Sequence, residues 1–270
     1  VLDATNAWEL VVTDEAKLKG LPAQAVAMAK ASADSKKVEG WRFTLQAPSY
    51  MAVMTYLDDA EIREKAWRAY NSRAASGEHD NKALIVKILA LRKEKAKLLG
   101  FADFADLVLE DRMAHTGAKA QAFLDELRTK TERRYKEENA ELAVFAGKTP
   151  EQGLAPWDVG YWSEKQRAAL YDFDEEALRP YFPLESVVNG MFQIFGRILG
   201  IKVVETKMPV WDKDVKTYDL HDATSGAHLG SFYADWYPRE NKRGGAWMDS
   251  LLTGNVNEGK PNLGLICGNL

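Results

Sequence analysis

Four histidines, one cysteine and a short basic run are the residues of this sequence with chemistry to offer. The histidines are His79, His115, His221 and His228. None has a second histidine three to five residues away, the spacing at which one helix face presents two imidazoles to a zinc ion. His221 and His228 flank a turn with Asp222 nearby, so a cluster of two histidines and a carboxylate can be drawn there, although a solvated hairpin tip is the simpler reading. Cys267 lies in the apolar run "LGLIC" with no histidine close in sequence, which predicts a buried, inert thiol. The acidic run "DFDEEAL" from Asp172 looks like paired catalytic carboxylates, but Asp174 stands where a helix begins, and an acid there caps the positive end of the helix. In "GSFYADWYPRENKRGGAWMDS" the basic residues Arg239, Lys242 and Arg243 lead into Gly244 and Gly245, where backbone can approach an anion closely. A phosphate-binding loop has the form G-x-x-x-x-G-K-[ST]. Here the cations precede the glycines and no Ser or Thr follows directly, so the cradle fails on spacing and a solvated basic turn is the plainer reading.

The elements that must position these residues fall into two stretches. Residues 1–200 read as mostly helical. "WELVVT" and "WRFTLQ" have strand-like β-branched and aromatic spacing and can pair as a ribbon around the Ala-rich helical segment 21–32. Asp58 and Asp59 can cap a helix through "AEIREKAWRAYNSRAA", with Ile62, Ala66, Ala69 and Arg73 on one stripe and an end near Gly77. Asp80 can cap the next, whose apolar stripe is Leu84, Ile88 and Leu91. Thr116 begins a long amphipathic helix ending at Gly147, "KTPEQGLAPWDVGYW" breaks it, and helix returns at "SEKQRAALY" and "LESVVNGMFQIFGRILG". From residue 201 to 270 the period becomes two. "IKVVET", "VKTYDLHD", a turn at Thr224 to Gly226, "LGSFYADWY" and "LGLIC" predict a small antiparallel or mixed sheet, so the fold class is mainly α with a β-sheet in the last quarter.

Composition narrows the partners. A chain of 270 residues with 46% hydrophobic and 28% charged residues can bury a full core. Its formal net charge of -4 argues against a nucleic-acid or anionic-membrane binder, both of which need a concentrated basic footprint. The longest apolar stretch, "ALIVKILAL", is interrupted by Lys87 and too short to span a bilayer. One cysteine excludes an intrachain disulfide and suits a reducing compartment, so a cytoplasmic location is expected. The amino terminus shows no signal-peptide core and starts on Val, which reads as trimmed.

The wording of the sequence is more specific than its spacing. "TNAWELVVTDE", "FTLQAPSYMAVMTY", "RAYNSRAASGEHDN", "LRKEKAKLLGFADFADLVLEDRMA", "PWDVGYWSEKQR", "LRPYFPLESVVNGMF", "VWDKDVKTYDLHD" and "GSFYADWYPRENKRGGAWMD" resemble, in order, segments of the zinc-dependent oligopeptidases of the thimet oligopeptidase, oligopeptidase A and peptidyl-dipeptidase family. The resemblance covers nearly the whole chain. It implies a partial zincin-like oligopeptidase fold in which residues 1–200 form a helical channel wall and 201–270 a small sheet beside the cleft. It also implies a zinc ion in the parent enzyme, held by a His-Glu-x-x-His helix that follows the strand resembling "NLGLICGNL" and by a later glutamate. The sequence ends at Leu270 before any such helix. We therefore expect an internal fragment of a zinc metallopeptidase that hydrolyses short peptides, itself inactive, without bound metal and prone to self-association through apolar surface. The alternative is a naturally short, non-catalytic peptide-binding or scaffolding protein. Endopeptidase and dipeptidyl carboxypeptidase activities are not separated by these residues.

Within that expectation Arg239, Lys242, Gly244 and Gly245 are cleft-side structural residues, the two cations held by carboxylates or carbonyls, and Trp247 and Met248 return to the core. Gly264, Leu265, Ile266 and Gly268 are expected to bind substrate along an open strand edge, giving main-chain hydrogen bonds to any extended peptide. The two glycines read equally as close backbone approach or as packing relief and a bulge, and the resemblance favours docking.

Overall fold

The computed structural model describes residues 1–171 and 176–270. The acidic run at Asp172 and Asp174 lies outside the described residues. The fold is mainly helical with a small mixed sheet after residue 200, as the periodicity predicts.

Near the amino terminus α1 (Leu2–Asn6) leads into a two-stranded antiparallel ribbon, β1 (Glu9–Val12) with β2 (Trp41–Thr44), separated in sequence by α2 (Ala23–Ser35). Helices α3 (Ala47–Tyr56) and α4 (Ala60–Asn71) follow and pack on the ribbon through Val12, Phe43, Val53, Leu57, Ile62 and Ala66. A fully buried leucine such as Leu57 contributes about 2 kcal/mol by leaving water. Asp59 caps α4 as its position predicts, its Oδ1 accepting from the N–H groups of Glu61 and Ile62 at 3.0 Å. The helix stops at Asn71, short of Gly77, and its buried stripe also includes Arg63. That guanidinium donates to the Leu57, Asp58 and Trp157 carbonyls and, at 2.5 Å, to the Asp158 carboxylate, so one side chain ties α4 to α8 (Pro156–Tyr171).

The segment "PWDVGYW", expected as part of a break, forms the first turns of α8. Pro156 opens the helix, where its missing N–H costs nothing, so the break is only the stretch up to residue 155. Between α4 and α8 run α5 (Lys82–Leu98), α6 (Phe104–Leu109) and the long α7 (Gly117–Phe145), which Thr116 caps by accepting from Lys119 N–H at 3.2 Å. The predicted α5 stripe of Leu84, Ile88 and Leu91 forms part of the helix, yet all three side chains are exposed, as are Ile85, Val86 and Leu89.

Helix α9 (Leu184–Leu199) ends at Gly200, whose left-handed φ of 66° closes the helix and turns directly into the sheet. The strands are β3 (Ile201–Thr206), β4 (Lys216–Asp222), β5 (His228–Asp235), β6 (Trp247–Leu252) and β7 (Asn262–Cys267), in the order β3-β4-β5-β7-β6. All neighbours are antiparallel except the parallel pair β5 and β7. Phe192 of α9 packs edge-on against Tyr218 and Phe232, the centre of the second core cluster.

Candidate functional site

The loop between β5 and β6 is organised by a residue that spacing did not single out, Asp235. It is the last residue of β5 and only 2% exposed. Arg239 grips its carboxylate with both terminal nitrogens, at 2.8 and 2.6 Å. Lys242 Nζ donates to its Oδ1 at 2.9 Å, to its main-chain oxygen at 2.8 Å and to the Tyr237 carbonyl at 2.9 Å. Trp211 Nε1 donates to Oδ2 at 3.0 Å. Burial pushes this carboxyl upward, but the hydrogen bonds from Arg239, Lys242 and Trp211, with the Lys242 charge, overrule it and hold it at about 2. The same contacts raise the Arg239 guanidinium.

Arg239 and Lys242 are thus held by a carboxylate and carbonyls, as expected, and neither is free to bind phosphate. Lys242 is buried, which sets aside the solvated-turn reading for that residue. The sequence does carry a signal for Asp235: it is the lone acid in the apolar run "FYADWY", with cations four and seven residues later.

The loop is also tied to the helical layer. Glu240 reaches Lys36 at 3.0 Å and Arg42 at 3.6 Å, and the Glu240 carbonyl accepts from Asn6 Nδ2. The Lys36 hydrogen bond keeps the Glu240 carboxyl ionised below its ordinary range against a smaller opposing effect of burial. Beyond Gly245, whose φ is 92°, the chain enters β6. Met248 there is 74% exposed rather than in the core, because β6 is an edge strand whose residues after Trp247 are exposed on both faces.

The expectation that "LGLIC" is an open edge is overturned. β7 lies between β5 and β6, with Leu265 opposite Tyr233 on one side and Asp249 on the other. The connection after β6 closes through an Asn255–Lys260 bridge, and the parallel pairing of β7 with β5 leaves β6 as the outer strand. The backbone ladder of Gly264, Leu265 and Ile266 is therefore occupied on both sides, and the edge strands of the sheet are β6 next to β7 and β3 at the far side. Gly268 N–H donates to the Asp235 carbonyl at 2.8 Å, which continues the β5 contact. Gly264, Leu265 and Ile266 nonetheless line an apolar cavity of about 440 Å³ under α9, with Met191, Phe195 and Met248 on its other walls.

His221 and His228 are direct cross-strand partners, with ring centres 5.5 Å apart. His221 Nδ1 lies 3.2 Å from the Gly226 carbonyl and His228 Nε2 lies 3.1 Å from Ser231 Oγ, whose hydroxyl donates to Asp219 at 2.6 Å. Asp222 is engaged instead with the turn, accepting from Thr224 and Ser225. Cys267 is buried as predicted, and burial first, with the Asp235 charge second, pushes its thiol up, away from the thiolate that reacts.

A buried carboxylate that anchors a loop beside an open-edged sheet suits several protein classes, and comparison with known proteins decides among them. The profile described as Peptidase family M3 matches residues 53–270. The chain belongs to peptidase family M3. It is 46% identical over 259 residues to oligopeptidase A of Escherichia coli (strain K12), an alignment covering 93% of this chain and 38% of that protein. It is 40% identical over 266 residues to a probable cytosolic oligopeptidase A of Arabidopsis thaliana, covering 94% and 38%. With the dipeptidyl carboxypeptidase of Escherichia coli (strain K12) it shares 32% over 275 residues, covering 99% and 40%. The chain therefore spans about two fifths of the length of these M3 relatives. The family resemblance read from the sequence holds.

Zinc, the metal this resemblance implies, finds no ligand set among the described residues. No group of three or more His, Cys, Asp or Glu side chains there is placed to hold a metal ion, and in the His221–His228 pair His221 Nδ1 faces a carbonyl while His228 Nε2 faces the Ser231 hydroxyl, with the Asp219 carboxylate 3.6 Å away. No catalytic step through a metal is therefore derived from this chain. Among the described residues, no helix is long and apolar enough to cross a membrane.

Proposed function

We propose that this chain forms the cleft-side part of a cytoplasmic zinc metallopeptidase that hydrolyses short peptides, with the metal ligands supplied by residues outside it. Its own contribution is to bind substrate backbone. The observation that carries this reading is the free edge of β6 beside the apolar cavity that Met248, Gly264, Leu265 and Ile266 help to line. An extended peptide added to β6 gains main-chain hydrogen bonds common to every sequence, and its alternate side chains face the cavity. Gly264, Leu265 and Ile266 then serve as the floor next to the docking strand. Arg239, Lys242, Gly244 and Gly245, organised by Asp235, set where β6 starts.

Alone, the chain is inactive and self-associates through exposed faces such as Leu84, Ile88 and Leu91 of α5. The alternative, a short peptide-binding or scaffolding protein, is favoured only by the lack of a metal ligand set among the described residues. An in-frame His-Glu-x-x-His beyond Leu270 in the gene would remove it. The binding role is tested on the chain itself with an acetylated apolar hexapeptide and a series of singly N-methylated analogues. Methylation at alternate positions should abolish binding and at the intervening ones should not. Equal affinity across the series would refute backbone docking.

A further inference from the structure

The loop from Pro238 to Gly245 bounds a second cavity, of about 470 Å³, whose other walls come from α1, the turn into α3 and the end of α4. Four cationic side chains line it, Arg73, Arg239, Lys242 and Arg243, and among the described residues no carboxylate does. Arg239 and Lys242 are matched by Asp235 beneath them. Arg73 and Arg243 pair with no carboxylate among the described residues.

Both of these guanidinia are already oriented. Arg73 lies 3.5 Å over the Tyr70 ring, donates from Nε to the Tyr70 carbonyl at 2.7 Å and from Nη1 to Thr5 Oγ1 at 3.1 Å, and keeps Nη2 uncommitted. Arg243 lies 4.7 Å from the Trp247 ring centre, and among the described residues its side chain donates to no group of the chain. Stacking on an aromatic face fixes the plane of a guanidinium and leaves its N–H edge outward, the edge that grips oxyanions with paired hydrogen bonds.

Backbone donors stand beside these side chains. The N–H groups of Gly244 and Gly245 donate to no group among the described residues. Open space lies where a side chain would stand at either position, so an anion can reach the main chain. Asn269 holds this backbone from behind, its Nδ2 donating to the Arg243 and Gly245 carbonyls. Leu2, Leu45 and Pro48 add apolar wall, beside the polar Thr5, Asn6, Gln46 and Asn269. The cavity therefore offers one cationic end and one greasy side.

We propose that this cavity binds an organic oxyanion, its carboxylate or phosphate head held by Arg73, Arg243 and the Gly244–Gly245 amides and its apolar body against Leu2, Leu45 and Pro48. The proposal uses no part of the peptide-hydrolysis reading. It accounts for an exposed arginine, Arg243, that the Asp235 anchor leaves without a carboxylate partner.

The test is calorimetric titration of the chain at low salt with inorganic phosphate, N-acetyl-leucine and N-acetyl-leucine amide, with the amide resonances of Gly244 and Gly245 followed by NMR. One or both anions should bind saturably and shift those resonances, the neutral amide should not, and added salt should weaken the binding. Arg243→Gln, at an exposed position that leaves the fold intact, should weaken it by about tenfold, the loss of one charge-assisted contact. Arg73→Gln should do the same. Tighter binding of N-acetyl-leucine than of phosphate identifies a carboxylate head such as a peptide carboxyl terminus, and the reverse identifies a phosphate ester. Absence of binding, equal binding of the neutral amide, or affinity unchanged in both variants would overturn the proposal.

Discussion

Replacing Asp235 with Asn keeps the shape of the side chain and removes only its charge, so it isolates what the anchor contributes. In the folded chain the carboxyl is held at about 2, and a fall of that size from an ordinary aspartate value near 3.9 is worth ~2.5 kcal/mol of stability at neutral pH. The variant loses that and also leaves the Lys242 ammonium, whose side chain is 4% exposed, without a counter-charge. Breaking a buried ion pair from one side costs about 3–5 kcal/mol. Main-chain carbonyls of residues 235 and 237 still accept from Lys242 Nζ, so the expected loss lies at the lower end, about 3 kcal/mol. Urea unfolding followed by circular dichroism measures it, with the slope of the transition checked for constancy. Combining Asp235→Asn with Lys242→Met removes the orphaned charge and should restore at least about 1 kcal/mol of the loss. The pH dependence supplies a second check. Because the folded carboxyl is depressed, its stabilisation is complete above an unfolded value near 4 and disappears as pH falls through about 2. The stability difference between wild type and Asp235→Asn should therefore shrink across that interval. A loss under about 1 kcal/mol at pH 7, or a difference that stays constant on acidification, would show that the cluster does not anchor the loop.

Two further outcomes follow from close contacts. A methyl group added at Gly230 would sit 2.9 Å from the Asn262 carbonyl, whereas one added at Gly264 would sit 3.7 Å from Phe232 Cβ, an ordinary contact. Gly230→Ala should thus lower stability by about 1–3 kcal/mol and Gly264→Ala should change it by less than about 1 kcal/mol, as thermal unfolding would read. Tyr161 donates to Asp58 at 2.8 Å, and burial first, with that hydrogen bond second, pushes its hydroxyl to about 12. Its contribution is then present below about pH 10, the unfolded tyrosine value, and lost as pH rises through about 12. Tyr161→Phe should abolish that alkaline decline, and an unchanged decline would assign it to other groups.

The helices α4, α7 and α9 were legible because their caps and stops are local. Asp59, Thr116 and Gly200 satisfy or terminate backbone within one turn of themselves, so the relevant energies involve residues near in sequence. The same holds for the turn after β4, whereas the β1–β2 ribbon, which pairs residues as far apart as Glu9 and Thr44, was legible through the β-branched and aromatic spacing of each strand. The helical start at Pro156 was missed because Gly and Pro in "EQGLAPW" read as a break, while proline at a first helical position is stabilising rather than disruptive. The stripe on α5 was legible, but exposure depends on what packs there, and periodicity carries no information about that.

The site divides in the same way. Composition and wording, by themselves, determined the family, the change from helix to strand near residue 200 and the cations of the 238–245 loop, since these depend on residue identity and short-range order. Tertiary structure alone decided that Asp235 is the hub of those cations, that His221 and His228 are cross-strand neighbours, and that β6 rather than β7 is an edge strand. Strand order is set by where each strand finds unpaired backbone groups. β6 and β7 form a hairpin, and the hairpin can join the sheet through either strand with the same local turn. Only the parallel match of β7 to β5, a contact between residues about thirty positions apart, selects which strand is interior and which is outermost.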